Sequence, residues 1–301
     1  MKSFFKKFGH NKKAHVEIGT SQNVITAPLS TAQILSDNTT NISFSPNQLI
    51  VGSGQSVGKQ RDHNEDCLFT FSITIGNGSN SQPLGLFIVA DGMGGHQYGE
   101  VASDVASRTV ASYVLRKFHP IISDAKVTLD ESIQEIMQNA VKEAQRAVMR
   151  AAPGSGTTMT AVLVLGQQMT IAHVGDSRAY SVQPNGHVTL LTRDHSLVRR
   201  LEELGQLTPE EAAVHPQRNV LYRALGQGEF LEADVFTSPF PQPGYLFICS
   251  DGLWGVVSDD EILRIISEAK NIQTACQTLV AAANAAGGPD NISAVMVKLL
   301  S

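Results

Sequence analysis

The sequence has few of the features that mark secreted, disulfide-stabilised or membrane-spanning proteins. Its 301 residues include three cysteines, Cys67, Cys249 and Cys276, an odd number at wide spacing that favours reduced thiols over a disulfide framework. No apolar run is long enough to cross a bilayer, and the basic N-terminus is not followed by the apolar stretch of a secretory signal. We therefore predict a cytoplasmic protein.

The chain also lacks the positive charge that is typical of proteins that bind nucleic acid. Lysine and arginine number 23 against 28 aspartates and glutamates, which gives a formal net charge of -5. Nucleic acid is therefore not the expected partner. Hydrophobic residues make up 42% of the chain, which is enough for a substantial core and excludes global disorder.

The charge is divided unevenly along the chain. Residues 1–48 lack sustained periodicity and hold five lysines against one glutamate and one aspartate, so they carry a net charge of +3 and the rest carries -8. We predict a disordered basic tail at 1–48 and one folded domain at 49–301. The tail is either a solvated terminus or, through Phe4, Phe5 and Phe8, a short amphipathic patch for an anionic membrane or an acidic partner.

Apolar periodicity in the remaining residues predicts short strands that alternate with pairs of helices. The expected strands are Leu49–Val57, Cys67–Ile75, Leu84–Ala90, Thr157–Leu165, Met169–Val174, Arg178–Val182, Val188–Leu191, Leu231–Phe236, Tyr245–Cys249 and Ile292–Leu299. The expected helices are Val101–Leu115, Asp130–Ala151, Asp259–Ala269 and Ile272–Ala285. The three strands between Thr157 and Val182 are typical of an antiparallel meander. The polar insertion Arg193–Leu225 is typical of a lid or binding surface.

One predicted strand ends in a carboxylate followed by a glycine-rich turn, within Leu86–His96. Asp91 lies where this apolar run leaves the core, and the glycines after it allow backbone to approach a ligand closely. Alone, the pattern fits a metal ligand and equally an aspartate that accepts hydrogen bonds within its own turn.

The same pattern recurs along the chain. Acids at strand ends or glycine turns are Glu65, Asp66, Asp91, Asp176, Asp251 and Asp290. Each alone could be a turn or cap residue, but clustered carboxylates repel one another unless a cation balances them. Oxygen ligands without a His or Cys cluster favour Mg²⁺ or Mn²⁺, and two such ions support hydrolysis of a phosphoryl group. We therefore predict a binuclear site with Asp91 as the bridging ligand.

Six motifs occur in an order that is specific in combination. They are Arg61–Asp66, Asp91–Gly95, Ser155–Thr158, Gly175–Arg178, Ser250–Trp254 and Gly288–Asn291. Together they closely resemble the metal-dependent type 2C Ser/Thr protein phosphatase family in its bacterial form, over about residues 49–301. The resemblance implies an α+β fold, a four-layer αββα sandwich of two antiparallel sheets flanked by helix pairs.

The resemblance also implies a set of metal ligands. Asp91 would bridge two ions, and Asp251 and Asp290 would complete the coordination of the first. Asp66 and the backbone carbonyl of Gly92 would hold the second ion.

Further roles follow from the same resemblance. Glu65 would contact the second ion through water, Asp176 resembles a ligand of a weaker third ion, and Arg61 would bind the substrate phosphate as a guanidinium fork. The sequence departs from many eukaryotic members at Met93, where those members carry a histidine proposed as the general acid. His96 lies in the same turn, but its role cannot be transferred, so the acid stays unassigned.

The implied activity is hydrolysis of phosphoserine and phosphothreonine in proteins by direct attack of metal-activated water, without a phosphoenzyme. The insertion 193–225 corresponds to the family's mobile flap, which is implicated in substrate selection. The expected partners are phosphoproteins modified by a Ser/Thr kinase, and the expected state is a monomer. Two alternatives are a phosphoprotein-binding module without turnover and a phosphomonoesterase for small molecules.

Overall fold

The structure, a computed structural model, describes residues 47–76, 81–94, 98–124, 126–228 and 230–300. In chain order the strands are β1 Gln48–Ser56, β2 Asp66–Gly76, β3 Ser81–Met93, β4 Gly156–Thr157, β5 Met159–Leu165, β6 Gln168–Val174, β7 Arg178–Val182, β8 Val188–Leu190, β9 Asp234–Pro239, β10 Tyr245–Cys249 and β11 Ile292–Leu300. The helices are α1 Gly99–Ser123, α2 Ile133–Ala151, α3 Leu197–Glu203, α4 Pro209–Ala213, α5 Asp251–Trp254, α6 Asp259–Glu268 and α7 Ile272–Ala285.

Within this part of the chain the strands form two antiparallel sheets that face each other. One sheet has the order β1-β11-β10-β7-β8, and the other has the order β2-β3-β5-β6-β9 with the short β4 paired to β3. α1 and α2 pack on the outer face of the second sheet, and α6 and α7 pack on the outer face of the first. The expected αββα sandwich is therefore confirmed.

β3 shows why its sequence is a continuous apolar run. Leu86 and Ile88 pack towards α1 and α2, whereas Phe87 and Val89 pack into the layer between the two sheets. Alternate side chains of a strand point to opposite faces, so a strand covered on both faces needs apolar residues at every position.

Local sequence sets the start of α2 sharply. The side chain of Ser132 accepts a hydrogen bond from the Glu135 amide, and the Glu135 carboxylate accepts one from the Ser132 amide. This capping box satisfies amide groups that the first turn leaves without partners. The helix therefore begins at Ile133, three residues later than the sequence predicted.

The predicted meander is wrong at its third strand. β5 and β6 pair with each other, but β7 pairs with β10 in the opposite sheet. The chain crosses between the sheets at Gly175, whose φ of 104° is left-handed and where a β-carbon would overlap Thr158. Asp176 consequently lies in a crossover between sheets instead of in a hairpin turn.

Two further boundaries, the end of β3 and the start of β1, differ from the prediction. β3 continues through Asp91 to Met93 because β4 pairs with Gly92 and Met93. The predicted tail and His96 lie outside the described residues, apart from positions 47 and 48, and Gln48 already begins β1.

Among the described helices none has the length and apolar character needed to span a membrane.

Candidate metal centre

Five aspartates from both sheets converge on one end of the sandwich; we call them the acidic cluster. Asp66 opens β2 and lies directly opposite Asp91 of β3 in the strand register. Asp251 begins α5 immediately after β10, Asp290 precedes β11, and Asp176 lies in the crossover before β7. The sequence predicted each of these acids, and the fold brings them together.

The acids of the cluster lie close enough to raise one another's pKa. Burial, reinforced by the charges of Asp251 and Asp290, raises the pKa of Asp66 to about 7. Burial and the charges of Asp66, Asp251 and Asp176 raise the pKa of Asp91 well above its usual range. Burial also raises the pKa of Asp176, with Asp251 as the largest charge contribution, and that of Asp251, with Asp290 as the largest. The protein alone therefore disfavours the simultaneous ionisation of Asp66, Asp91, Asp176 and Asp251.

Two carboxylate oxygens in the cluster lack the donors that buried oxygens normally have. Asp66 Oδ1 and Asp251 Oδ1 are buried and accept no hydrogen bond from the residues that the structure describes. No three acidic, imidazole or thiolate groups in this part of the chain already form a ligand cluster. Orphaned oxygens among mutually repelling carboxylates nevertheless fit divalent cations with oxygen ligands, such as Mg²⁺ and Mn²⁺.

The backbone around Asp91 is fixed by a pair of threonines. The Asp91 amide donates to Thr158 Oγ1 at 2.9 Å, and Thr157 Oγ1 donates to the Asp91 carbonyl at 2.9 Å. The next residue, Gly92, lies against the Glu65 and Gly99 carbonyls so closely that a β-carbon would overlap both. The motif Ser155–Thr158 therefore holds the strand that carries the central aspartate.

Asp66 is held from the opposite sheet. Ser250 Oγ donates to Asp66 Oδ2 at 2.8 Å and in turn accepts a hydrogen bond from the Ser293 amide at 2.9 Å. Because Ser250 directly precedes Asp251, its hydroxyl connects Asp66 of β2 to the end of β10, where Asp251 lies.

Asn291 organises the loop between β1 and β2. Its Nδ2 donates to the Val57 and His63 carbonyls, both at 2.9 Å, and its Oδ1 accepts from the Glu65 amide at 2.8 Å. Asn291 is buried. The sequence indicated no role for Asn291 beyond its position in the motif Gly288–Asn291.

Arg61 and Glu65 lie at the edge of the acidic cluster. Arg61 Nη2 donates to Asp290 Oδ2 at 2.7 Å, and the Arg61 side chain is 47% exposed. The Glu65 carboxylate faces His63, whose Nε2 lies 3.6 Å from Glu65 Oε1, and it packs against Gly99 at the start of α1. The Arg61 guanidinium, which is predicted to bind the substrate phosphate, is therefore accessible to solvent and adjacent to Asp290, a predicted metal ligand.

The contacts of His195 indicate a structural role. It is buried, its Nδ1 accepts from the Gly175 amide at 3.1 Å, and its Nε2 contacts Asp234 Oδ2 at 3.2 Å. These contacts anchor the backbone beside Asp176. Met93 follows Gly92 in β3, and its sulfur accepts a weak hydrogen bond from Gln227 Nε2 at 3.7 Å.

Comparison with known proteins places this geometry in a family. A family model described as protein phosphatase 2C matches residues 50–292. The serine/threonine phosphatase Stp of Listeria monocytogenes serovar 1/2a is 36% identical over 242 residues, which cover 80% of this chain and 92% of that protein.

Solved structures agree with this match. A serine/threonine phosphatase from S. agalactiae superposes with a TM-score of 0.70 at 32% identity, covering 83% of this chain and 99% of that one. The catalytic domain of the serine/threonine protein phosphatase PstP, in complex with two manganese ions, gives a TM-score of 0.68 at 28% identity, covering 85% and 100%. The matched region of the family model contains the whole acidic cluster, and this chain belongs to the protein phosphatase 2C family of metal-dependent serine/threonine protein phosphatases.

Proposed function

We propose that the acidic cluster binds two Mg²⁺ or Mn²⁺ ions and that the chain uses this centre to hydrolyse phosphoserine and phosphothreonine in proteins by direct attack of water. The observation that carries the proposal is the pairing of Asp66 opposite Asp91, together with buried, unpartnered oxygens on Asp66 and Asp251. Carboxylates directly opposite each other on neighbouring strands destabilise a sheet unless a cation lies between them.

We assign the bridging position to Asp91. The charges of Asp66, on the neighbouring strand, and of Asp251, from the other sheet, both act on its carboxylate, so Asp91 is close to acids of both sheets. Asp251 and Asp290 would hold the first ion with Asp91. The remaining protein ligands belong to the second and third ions.

The second ion would be held by Asp66, by the Gly92 carbonyl and, through water, by Glu65. Gly92 supports this assignment because its lack of a side chain allows the close packing of the Glu65 and Gly99 backbones around it. Asp176 would hold a weaker third ion, since its carboxylate is buried and its pKa is raised mainly by burial and then by Asp251.

Arg61 supplies the recognition of the substrate phosphate. Its guanidinium is half-exposed at the edge of the cluster, and its ion pair with Asp290, one of the proposed ligands, supports this role. Two parallel N–H groups of a guanidinium can donate to two oxygens of one phosphoryl group. When bound, the divalent cations lower the pKa of a coordinated water towards about 7 and polarise the phosphoryl oxygens.

The residue at position 93 limits which group protonates the leaving oxygen. Met93 has no proton to donate, so the serine or threonine alkoxide takes its proton from solvent or from another side chain. The attack itself needs no protein nucleophile. Cys249 and Cys276 are buried, and burial raises the pKa of both thiols.

We further propose that the substrates are phosphoproteins made by an opposing Ser/Thr kinase, and that the chain acts in the cytoplasm as a monomer. The basic residues of 1–48 would serve as a tail that contacts an acidic partner or membrane surface. Phosphopeptide turnover and cellular localisation of chains with and without residues 1–46 test the tail assignment.

The activity is tested with a phosphothreonine peptide in Mn²⁺, in Mg²⁺ and in EDTA, and with Asp91→Asn and Asp251→Asn. We expect turnover that requires the cation, and a loss of about 10²-fold or more in either variant. Small phosphorylated metabolites should be poorer substrates than the peptide. Full activity in EDTA, or in either variant, would overturn the proposal.

A further inference from the structure

The guanidinium of Arg178 lies between Trp254 of the short helix α5 and Asp194 at the start of the insertion 193–225. Its centre is 3.5 Å from the centroid of the Trp254 ring. Its Nε and Nη2 donate to the two oxygens of Asp194 at 3.1 and 2.7 Å. Asp194 is buried, and the Arg178 side chain is 22% exposed. This arrangement combines a planar stack with a bidentate ion pair, for which arginine is uniquely suited.

Trp254 and Asp194, the two partners of Arg178, belong to different parts of the fold. Trp254 ends α5, the helix that begins with Asp251, and its Nε1 donates to the Asp176 carbonyl at 3.0 Å. Asp194 lies at the start of the insertion 193–225, which we call the flap. Arg178 therefore connects the base of the flap to the wall that carries two residues of the acidic cluster.

Between its two ends the flap has little apolar packing, whereas Ala224 and Leu225 at its C-terminal end are buried. No residue of α3 is buried, and in α4 only Ala212 is. Its two ends are joined by backbone hydrogen bonds from the Leu197 amide to the Val220 carbonyl and from the Tyr222 amide to the His195 carbonyl. Leu225 anchors the C-terminal end of the flap, and polar contacts at its N-terminal end therefore contribute to where the flap lies relative to the acidic cluster.

A groove of about 590 Å³ separates the flap from the acidic cluster. Asp176, Asp251 and Trp254 line it on the cluster side, and Val198 and Ala213 line it on the flap side. Arg178 and Asp194 also line the groove, so the ion pair that joins its two sides is part of the groove itself.

We propose that Arg178 is a positioning residue for protein substrates: through Asp194 and Trp254 it fixes the flap so that the groove accepts the peptide beside the phosphorylated residue. The inference rests on the proposed function. A small phosphomonoester reaches only the end of the groove at the acidic cluster and does not extend along it to the flap, so its turnover should depend less on Arg178 than peptide turnover does. Lysine keeps the charge but has neither the fork nor the planar face.

The test compares Arg178→Lys with wild type, using Mn²⁺-saturated protein, a phosphothreonine peptide and p-nitrophenyl phosphate. We expect KM for the peptide to rise roughly ten-fold, because small misplacements of a binding surface have large effects on substrate positioning. The KM for p-nitrophenyl phosphate should rise clearly less than the KM for the peptide. Trp254 is the only tryptophan of the chain, so loss of the stack should shift its emission to longer wavelength.

Two further variants keep the test decisive if Arg178→Lys folds poorly. Asp194→Asn retains the shape of the side chain but weakens the ion pair, and it should raise the peptide KM in the same direction. Arg108→Lys, in an exposed pair with Asp104 on α1, is the matched control and should leave all readouts unchanged.

The outcomes separate the two proposals. An unchanged peptide KM in Arg178→Lys and Asp194→Asn, or an equal loss for both substrates, overturns the positioning role. A wild-type chain that hydrolyses neither substrate with Mn²⁺ overturns the proposed function, and the positioning role with it.

Discussion

Asp66 shows at the scale of a single residue why a bound cation would stabilise the acidic cluster. It lies opposite Asp91, accepts one hydrogen bond from Ser250, and has one buried oxygen without a donor among the described residues. The sequence predicted both acids because each follows or precedes an apolar run. It did not predict that they face each other, because Asp91 was expected to lie after its strand and is part of β3.

The first prediction concerns the stability of the metal-free protein as a function of pH. Burial raises the pKa of Asp66 from an ordinary 3.8 to about 7 in the folded state, so the folded chain binds more protons than the unfolded chain between these values. The free energy of unfolding from this group therefore falls as pH rises through that interval. Urea unfolding in EDTA should show lower stability near pH 8 than near pH 5.

Asp66→Asn tests the cause. The variant should weaken this pH dependence and should raise the stability of the metal-free protein near pH 8 by on the order of 1 kcal/mol, because one of two facing charges is removed. Asp130→Asn, an exposed acid before α2, is the control for the change in net charge. A wild-type pH slope in Asp66→Asn would show that Asp66 does not carry the effect.

At the scale of elements, the site depends on short connections between strands. The crossover at Gly175 takes the chain from one sheet to the other, and Asn291 ties the loop before β2 to the start of β11. Sequence periodicity could not reveal the crossover, since β6 and β7 have the same alternation whether they pair or not. Nor could it assign Asn291, whose partners are backbone groups distant in sequence.

Gly175→Ala should disrupt the crossover. Alanine would take a left-handed φ at a place where its β-carbon overlaps Thr158, so we expect a loss of roughly 3 kcal/mol in the free energy of unfolding. Gly166→Ala is the matched control, because Gly166 also has a positive φ but open space around its β-carbon. Its cost should be about 1 kcal/mol. Equal costs in denaturant unfolding would contradict a specific role of the crossover.

Asn291→Ala should loosen the loop that carries Arg61 and Glu65. It removes three hydrogen bonds to the Val57, His63 and Glu65 backbone, so unfolding should become easier by about 2 kcal/mol. The affinity for Mn²⁺ should fall as well, because Asp66 follows this loop. Thermal unfolding with and without Mn²⁺ measures both effects, and Gln138→Ala, exposed on α2, serves as control. An unaltered Mn²⁺ stabilisation would show that the loop does not position the ligands.

At the scale of the whole molecule, two facing sheets contribute acids to one centre. β2 and β3 supply Asp66 and Asp91 from one sheet, while the ends of β10 and the start of β11 place Asp251 and Asp290 from the other. The order of motifs carried the resemblance that implied the sandwich and the acids, because each motif lies at the start or the end of a strand. The stack of Arg178 on Trp254 could not be predicted, since the two residues are joined only by the packing of β7 beside β10.

The central claim is that carboxylates from both sheets form one two-metal centre with Asp91 between the ions. Calorimetric titration of the metal-free protein with Mn²⁺ tests it most directly, with phosphopeptide turnover measured on the same samples. We predict that the wild type binds at least two Mn²⁺ ions tightly per chain. Asp91→Asn should bind at most one ion tightly and should show no turnover. Two ions bound with wild-type affinity by Asp91→Asn, or full turnover in that variant, would contradict the claim.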